Sequence, residues 1–220
     1  MRLIADQDFI DLEAKVAQVR NKFWAVFDVA NPQTLAADVI LGSLRQITGR
    51  TADAAREVAE ARQRYQDTLG ADHPYTHACA AFLASMRRSM GAPDESLPDL
   101  RTAIAGLTKA VGGDHPYTLA AVVALVNALI DVGAPTAALS QGEDALESSR
   151  RVLGFDHPHT LAGAASVVAA QSALGRETEA MRLREDTENR YKRTLGAEHP
   201  SFLVFAAGQL FDPDFTPIPL

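Results

Sequence analysis

Histidine is the residue of this 220-residue chain that most invites a chemical reading. Asp-His-Pro recurs at 72–74, 114–116 and 156–158, and Glu-His-Pro follows at 198–200. His73, His115, His157 and His199 therefore stand 42 residues apart. Imidazole is the commonest metal ligand, so four at one spacing raise the question of zinc. Distance argues against it: two helices separate each pair, packed helices lie ~8–10 Å apart, and zinc needs each nitrogen at ~2.0–2.1 Å. The predicted task is structural, orienting a turn, with Asp72, Asp114, Asp156 and Glu198 accepting N–H bonds at the next helix start. His157 and His159 flank Pro158 with no third ligand nearby in sequence, and His77 reads as a helix-face residue. Cys79, the single cysteine, lies in a run of alanines without a neighbouring base and reads as a small buried hydrophobe. Arg87-Arg88 and Arg150-Arg151 are surrounded by acids, with no interleaved aromatics to stack bases. The expectation is a chain that is not an enzyme, with no metal and no cofactor.

What the 42-residue step does dictate is architecture. Pro32, Pro74, Pro116, Pro158 and Pro200 keep it, as do Gly49, Gly91, Gly133, Gly175 and Gly70, Gly112, Gly154, Gly196. Proline suits the first position of a helix, where its missing N–H has no partner to lose. Glycine suits the position just past a helix end. Each unit thus reads as two helices. The first is apolar, as in Leu119, Val122, Val123, Leu125, Val126, Leu129 and Ile130, and forms an inner layer. The second, as in 137–153, is polar and forms an outer layer, its i,i+4 pairs such as Glu147–Arg151 marking a solvated face. In the second unit, Pro98 predicts an outer helix that starts late, near Leu97. Residues 1–30 hold one helix, with Phe9, Leu12, Val16, Val19, Phe23 and Phe27 on one side, which overlays the outer helix of an incomplete unit. Residues 31–210 hold four units and a final inner helix over 200–210, and 211–220 form a proline-rich tail. Stacked units bury a core that none could bury alone.

Composition agrees. Hydrophobic residues are 47%, charged residues 22% and aromatics only 6%, with alanine prominent, which favours helix packing over sheet. A net charge of −7 and a pI near 5.3 disfavour binding to nucleic acid or to a membrane surface. The opening residues lack a signal-peptide core, and no run of eighteen apolar residues occurs, so a cytoplasmic location is expected.

The motif Leu-Gly-x-Asp-His-Pro-x-Thr, seen at Leu69–Thr76 and Leu153–Thr160, resembles that of tetratricopeptide repeat (TPR) proteins of the 42-residue kinesin-light-chain type. Ala61, Ala103, Ala145, Tyr65 and Tyr191 match as well. The resemblance is to bacterial versions, found in or beside NB-ARC regulators and peptide-maturation systems. It implies an all-α, right-handed solenoid of about ten helices that acts as a non-catalytic protein- or peptide-binding scaffold. The alternative it implies is a sensor or oligomerisation segment regulating a linked or partner enzyme. Kinesin light chains clamp a peptide backbone with paired inner-helix asparagines. The matching positions, Val39-Ile40, Ala81-Phe82, Val123-Ala124, Ala165-Ser166 and Ala207-Gly208, hold none. Carrying the repeat pattern across, the concave groove would show Val39, Ile40, Ser43, Phe82, Ser85, Arg88, Val123, Asn127, Ile130, Asp131 and Ser166. Such a groove suits an apolar segment or helix. Phe23 and Trp24 either cap the incomplete first unit or form an interface, and with Phe27 they predict self-association through the N-terminal end or an upstream domain. Phe215, Ile218 and Leu220 are apolar anchors by which 212–220 could serve as a recognition element, or plug the groove of its own or a neighbouring solenoid.

Overall fold

Prolines open every inner helix and glycines follow the helix ends, and the period follows. The computed structural model describes residues 5–27, 31–213 and 215, without the side chains of residues 5–10 and of Gln33. After α1 (Ala5–Val26) come four inner helices of 16 residues, α2 (Pro32–Ile47), α4 (Pro74–Ser89), α6 (Pro116–Asp131) and α8 (Pro158–Ala173). The outer helices α3 (Thr51–Leu69), α5 (Pro93–Val111), α7 (Pro135–Leu153) and α9 (Glu177–Thr194) alternate with them, and α10 (Pro200–Ala206) ends the series. No strand occurs among the described residues. Each outer helix packs between the inner helices before and after it, while α4 packs on α6 and α6 on α8. The result is a solenoid with an inner layer, a main core running from Leu35 to Ala170, and a smaller core of Leu161, Ala165, Tyr191, Phe202 and Phe205 at the C-terminal end.

The turn between units is built from the repeated motif, with one change from the sequence expectation. The histidine, not the preceding acid, caps the inner helix. Nδ1 of His73, His115, His157 and His199 accepts from the N–H two residues on, at 3.2, 3.2, 3.1 and 3.2 Å. The backbone explains the substitution: the histidine holds the extended N-cap conformation, with φ near −70° and ψ near 140°, and the proline after it fixes that geometry. Thr76 and Thr118 then donate back to the carbonyls of Gly70 and Gly112, at 3.0 and 2.8 Å. The acids face outward instead. Asp114 pairs with Arg151 at 2.9 Å and Asp156 with Arg190 and Arg193 at 2.9 and 2.7 Å, tying each turn to the outer helix.

Two helix boundaries also differ from the expectation. α5 begins at Pro93, with Pro98 inside it. The N–H that Pro98 lacks would bond to Asp94, and both residues are exposed, so water can take that carbonyl. α10 ends at Ala206 and not near residue 210. At the other end, α1 docks on α2 and α3 through ion pairs. Arg20 reaches Glu57 at 2.9 Å and Asp38 at 3.6 Å, and Glu13 holds Arg45 at 3.1 Å. Burial lifts the Asp38 carboxyl to about 6, against the pull of Arg20 and Arg64. Leu12, Val19, Trp24, Val26 and Phe27 of this end remain exposed.

A capping Nδ1 must be unprotonated, and burial lowers the pKa of all four histidines below the ordinary 6.5. The unfolded chain therefore binds these protons first. The caps contribute fully above 6.5, and their contribution disappears as pH falls through the lower folded values. Replacing His73, His115 and His157 together with asparagine, a cap that does not titrate, should flatten the fall in melting temperature between pH 7 and 5. Identical pH slopes for both proteins would contradict this capping role.

Candidate functional site

The site begins where the period breaks. In α2, α4, α6 and α8 the position equivalent to 208 is a mid-helix residue: Ile40, Phe82, Ala124 or Ser166. Here it is glycine with φ +71°, and the helix ends around it. Gly208 N–H bonds to the Phe205 carbonyl at 2.9 Å, and Gln209 N–H to the Val204 carbonyl at 3.1 Å. That pair of bonds is the Schellman motif, which turns the chain away from the helix axis. The Asp212-Pro213 step keeps it extended, since proline cannot continue a helix and restricts the residue before it. The chain then returns across the inner layer.

Phe211 packs against the cluster that holds Tyr191 and Phe202, and the polar contacts lie on α6 and α4. The Asn127 amide donates to the Phe211 carbonyl and to Asp212 Oδ1, both at 2.9 Å. Ser166 donates to Asn127 Oδ1 at 2.7 Å, which fixes the amide with its NH₂ toward the segment. Arg88 donates to Asp212 at 3.0 Å and to Asp131 at 2.8 Å, with only 8% of its side chain exposed. Three residues on, the Phe215 ring stacks on Phe82 with centroids 5.5 Å apart and joins the main core. Burial raises the Asp212 carboxyl above the ordinary carboxylate range, while Arg88 and Asn127 pull it back down. The two donors offset the cost of burying that charge.

Of the eleven groove residues expected from sequence, Arg88, Asn127, Asp131 and Ser166 join in this one network, with Phe82 beside it. Val39 is instead a core residue, buried with Leu35 and Val58. Val123 is buried as well, and lies toward Gly163 of α8. Ser85 is buried and donates to the Phe82 carbonyl at 2.9 Å. Ile40, Ser43 and Ile130 are half-buried. Of the tail anchors, Phe215 is in the groove, and Ile218 and Leu220 lie outside the described residues. Sequence reasoning missed Asp212 as the carboxylate that organises the network. It also placed no asparagine clamp, because it looked only at the family's positions. Asn127, four residues after Val123 and so on the same helix face, holds a backbone carbonyl.

The Cys79 thiol is fully buried and pushed up to about 12. Among the described residues, no group of three or more His, Cys, Asp or Glu could hold a metal ion, and no helix is long and apolar enough to cross a membrane.

Residues 78–117 and 118–159 match the model of the tetratricopeptide repeat family. No curated protein matches the sequence. Solved structures similar to this one include a singly substituted form of nearly identical TPR-like repeats of a kinesin-light-chain type from Podosopora anserina. It has a TM-score of 0.60 at 22% identity, over 87% of this chain and 90% of that one. The same repeats without that substitution give 0.58 at 23%, over 86% and 90%. BtubC (BKLC) from P. vanneervenii gives 0.59 at 14% identity, over 100% of this chain and 98% of that one.

If the network holds the segment down, Phe215→Ala and Asp212→Ala should each expose residues 209–215 to limited proteolysis while α1–α9 stay resistant. Phe→Ala in a packed core costs ~3–5 kcal/mol, but here the loss is capped by the free energy of docking the segment alone. Unchanged cleavage in both variants would contradict the arrangement.

Proposed function

Since the chain carries tetratricopeptide repeats, we propose that it is a non-catalytic protein- and peptide-binding scaffold whose inner layer receives an extended segment. The observation that carries this reading is the occupied groove. Residues 211–213 and 215 lie across α6 and α4 as a bound peptide would, gripped by a side-chain amide at a backbone carbonyl, by an ion pair at Asp212 and by a ring stack at Phe215. Main-chain hydrogen bonds supply affinity in such recognition and pockets supply specificity. On this reading the tail is an internal occupant, and the scaffold is autoinhibited until it leaves. A bound segment of the same chain competes at high effective concentration, so partners must displace it.

The exposed apolar residues of α1 and just after it, Trp24 and Phe27 among them, support self-association through the N-terminal end as an accompanying feature. A mass above one chain in light scattering, returned to one chain by Trp24→Glu with Phe27→Glu, would support it.

The groove itself is tested by selecting from a random peptide library on two full-length proteins, the wild type and Asp212→Ala with Phe215→Ala. The released variant should enrich extended peptides that the wild type does not, and adding Phe82→Glu should abolish the enrichment with helicity intact. Equal enrichment on wild type and variant, or none on either, would overturn the proposal.

A further inference from the structure

Resting on that reading of the groove, we infer that the partner presents an extended segment of the pattern Asp-Pro-x-aromatic, and that Phe211–Phe215 is a built-in competitor of the same chemistry. The donors are set before any ligand arrives. Ser166 fixes the Asn127 amide, and Asp131 holds the Arg88 guanidinium, both from within the solenoid. With the segment gone, Asn127 Nδ2 loses both its acceptors and Arg88 loses one of its two carboxylates. An occupant that covers these donors without offering acceptors leaves them buried and unpaired, which is penalised, so the groove selects a ligand that brings a carbonyl and a carboxylate side by side. The occupant expected from sequence, an apolar segment or helix, offers no carboxylate.

The second specificity element is spacing. Arg88 and Phe82 are six residues apart on α4, a rise of ~9 Å at 1.5 Å per residue. Three extended residues span ~10 Å at most. A carboxylate and a ring three residues apart in an extended ligand therefore reach both partners when the ligand runs antiparallel to α4, the direction in which Asp212 and Phe215 meet Arg88 and Phe82. A proline after the acid holds that extension at low entropic cost, and Pro213 is itself buried in the groove. The Phe82 ring completes the site by stacking, with 27° between the ring planes.

The test uses full-length protein and a fluorescent, N-acetylated peptide of residues 210–220 as probe. The Asp212→Ala, Phe215→Ala variant should bind it at least tenfold more tightly than the wild type does. Peptides with alanine in place of Asp212 or of Phe215 should bind that variant at least tenfold more weakly, and adding Arg88→Ala to the protein should erase the preference for the acid. Equal binding of the parent and alanine peptides would overturn the pattern while leaving the groove standing, provided the library selection succeeds. Failure of every peptide, in the library as well, would overturn the groove with it. Wild type binding the probe as tightly as the variant would overturn the competitor role. A concentration-dependent dimer abolished by Asp212→Ala would assign the segment to a second copy and overturn it equally. Should the double variant lose helicity, Phe215→Ala alone takes its place with the same expected outcomes.

Discussion

The structure depends on one small constraint: a turn in which glycine, histidine, proline and threonine each do something the others cannot. Glycine takes a positive φ after the outer helix, as Gly112 does at +95°. Histidine accepts the first free N–H of the inner helix, proline fixes the entry angle, and threonine, at Thr76 and Thr118, closes the loop onto the glycine carbonyl. Because the turn recurs every 42 residues without insertion, each unit repeats the placement of the one before it. The inner helices then form one layer, and side chains 39 residues apart, such as Asn127 and Ser166, meet in one hydrogen bond.

Function enters where the repeat is broken. Gly208 replaces a mid-helix residue, so the last inner helix stops early and its chain is released onto the surface its sisters build. Arg88 places a nearly buried guanidinium in that surface. Arg88 is costly there unless its charge is matched, and the matching carboxylates are Asp131 from the next inner helix and Asp212 from the returning segment. On the proposed reading, affinity for an extended acidic segment and occlusion by one are two consequences of the same buried charge.

The fold was legible in the sequence because its information is local and repeated. Helix order, the two layers and the end glycines all follow from columns of identical residues, and the solved TPR structures share the fold. The histidine cap was harder to read, since aspartate is the stronger general N-cap and stands one position earlier; only the backbone angles decide between them. Pro98 misled for the opposite reason, a general rule defeated by an exposed carbonyl that needs no protein partner. The site was legible only in part. Arg88, Asn127, Asp131 and Ser166 can be placed on the inner face by period. That Asp212 meets them depends on a contact across 124 residues, which no periodicity encodes.

The central claim is that the segment after α10 lies in the groove of its own chain. The most direct measurement is the nuclear Overhauser effect between the rings of Phe82 and Phe215 in a phenylalanine-labelled sample, assigned by single substitution and followed over a range of protein concentrations. The stacked rings, with centroids 5.5 Å apart, predict a strong cross-peak whose intensity per chain does not change on dilution. A missing cross-peak, with Phe215 signals narrow and at random-coil positions in the folded protein, would contradict the account.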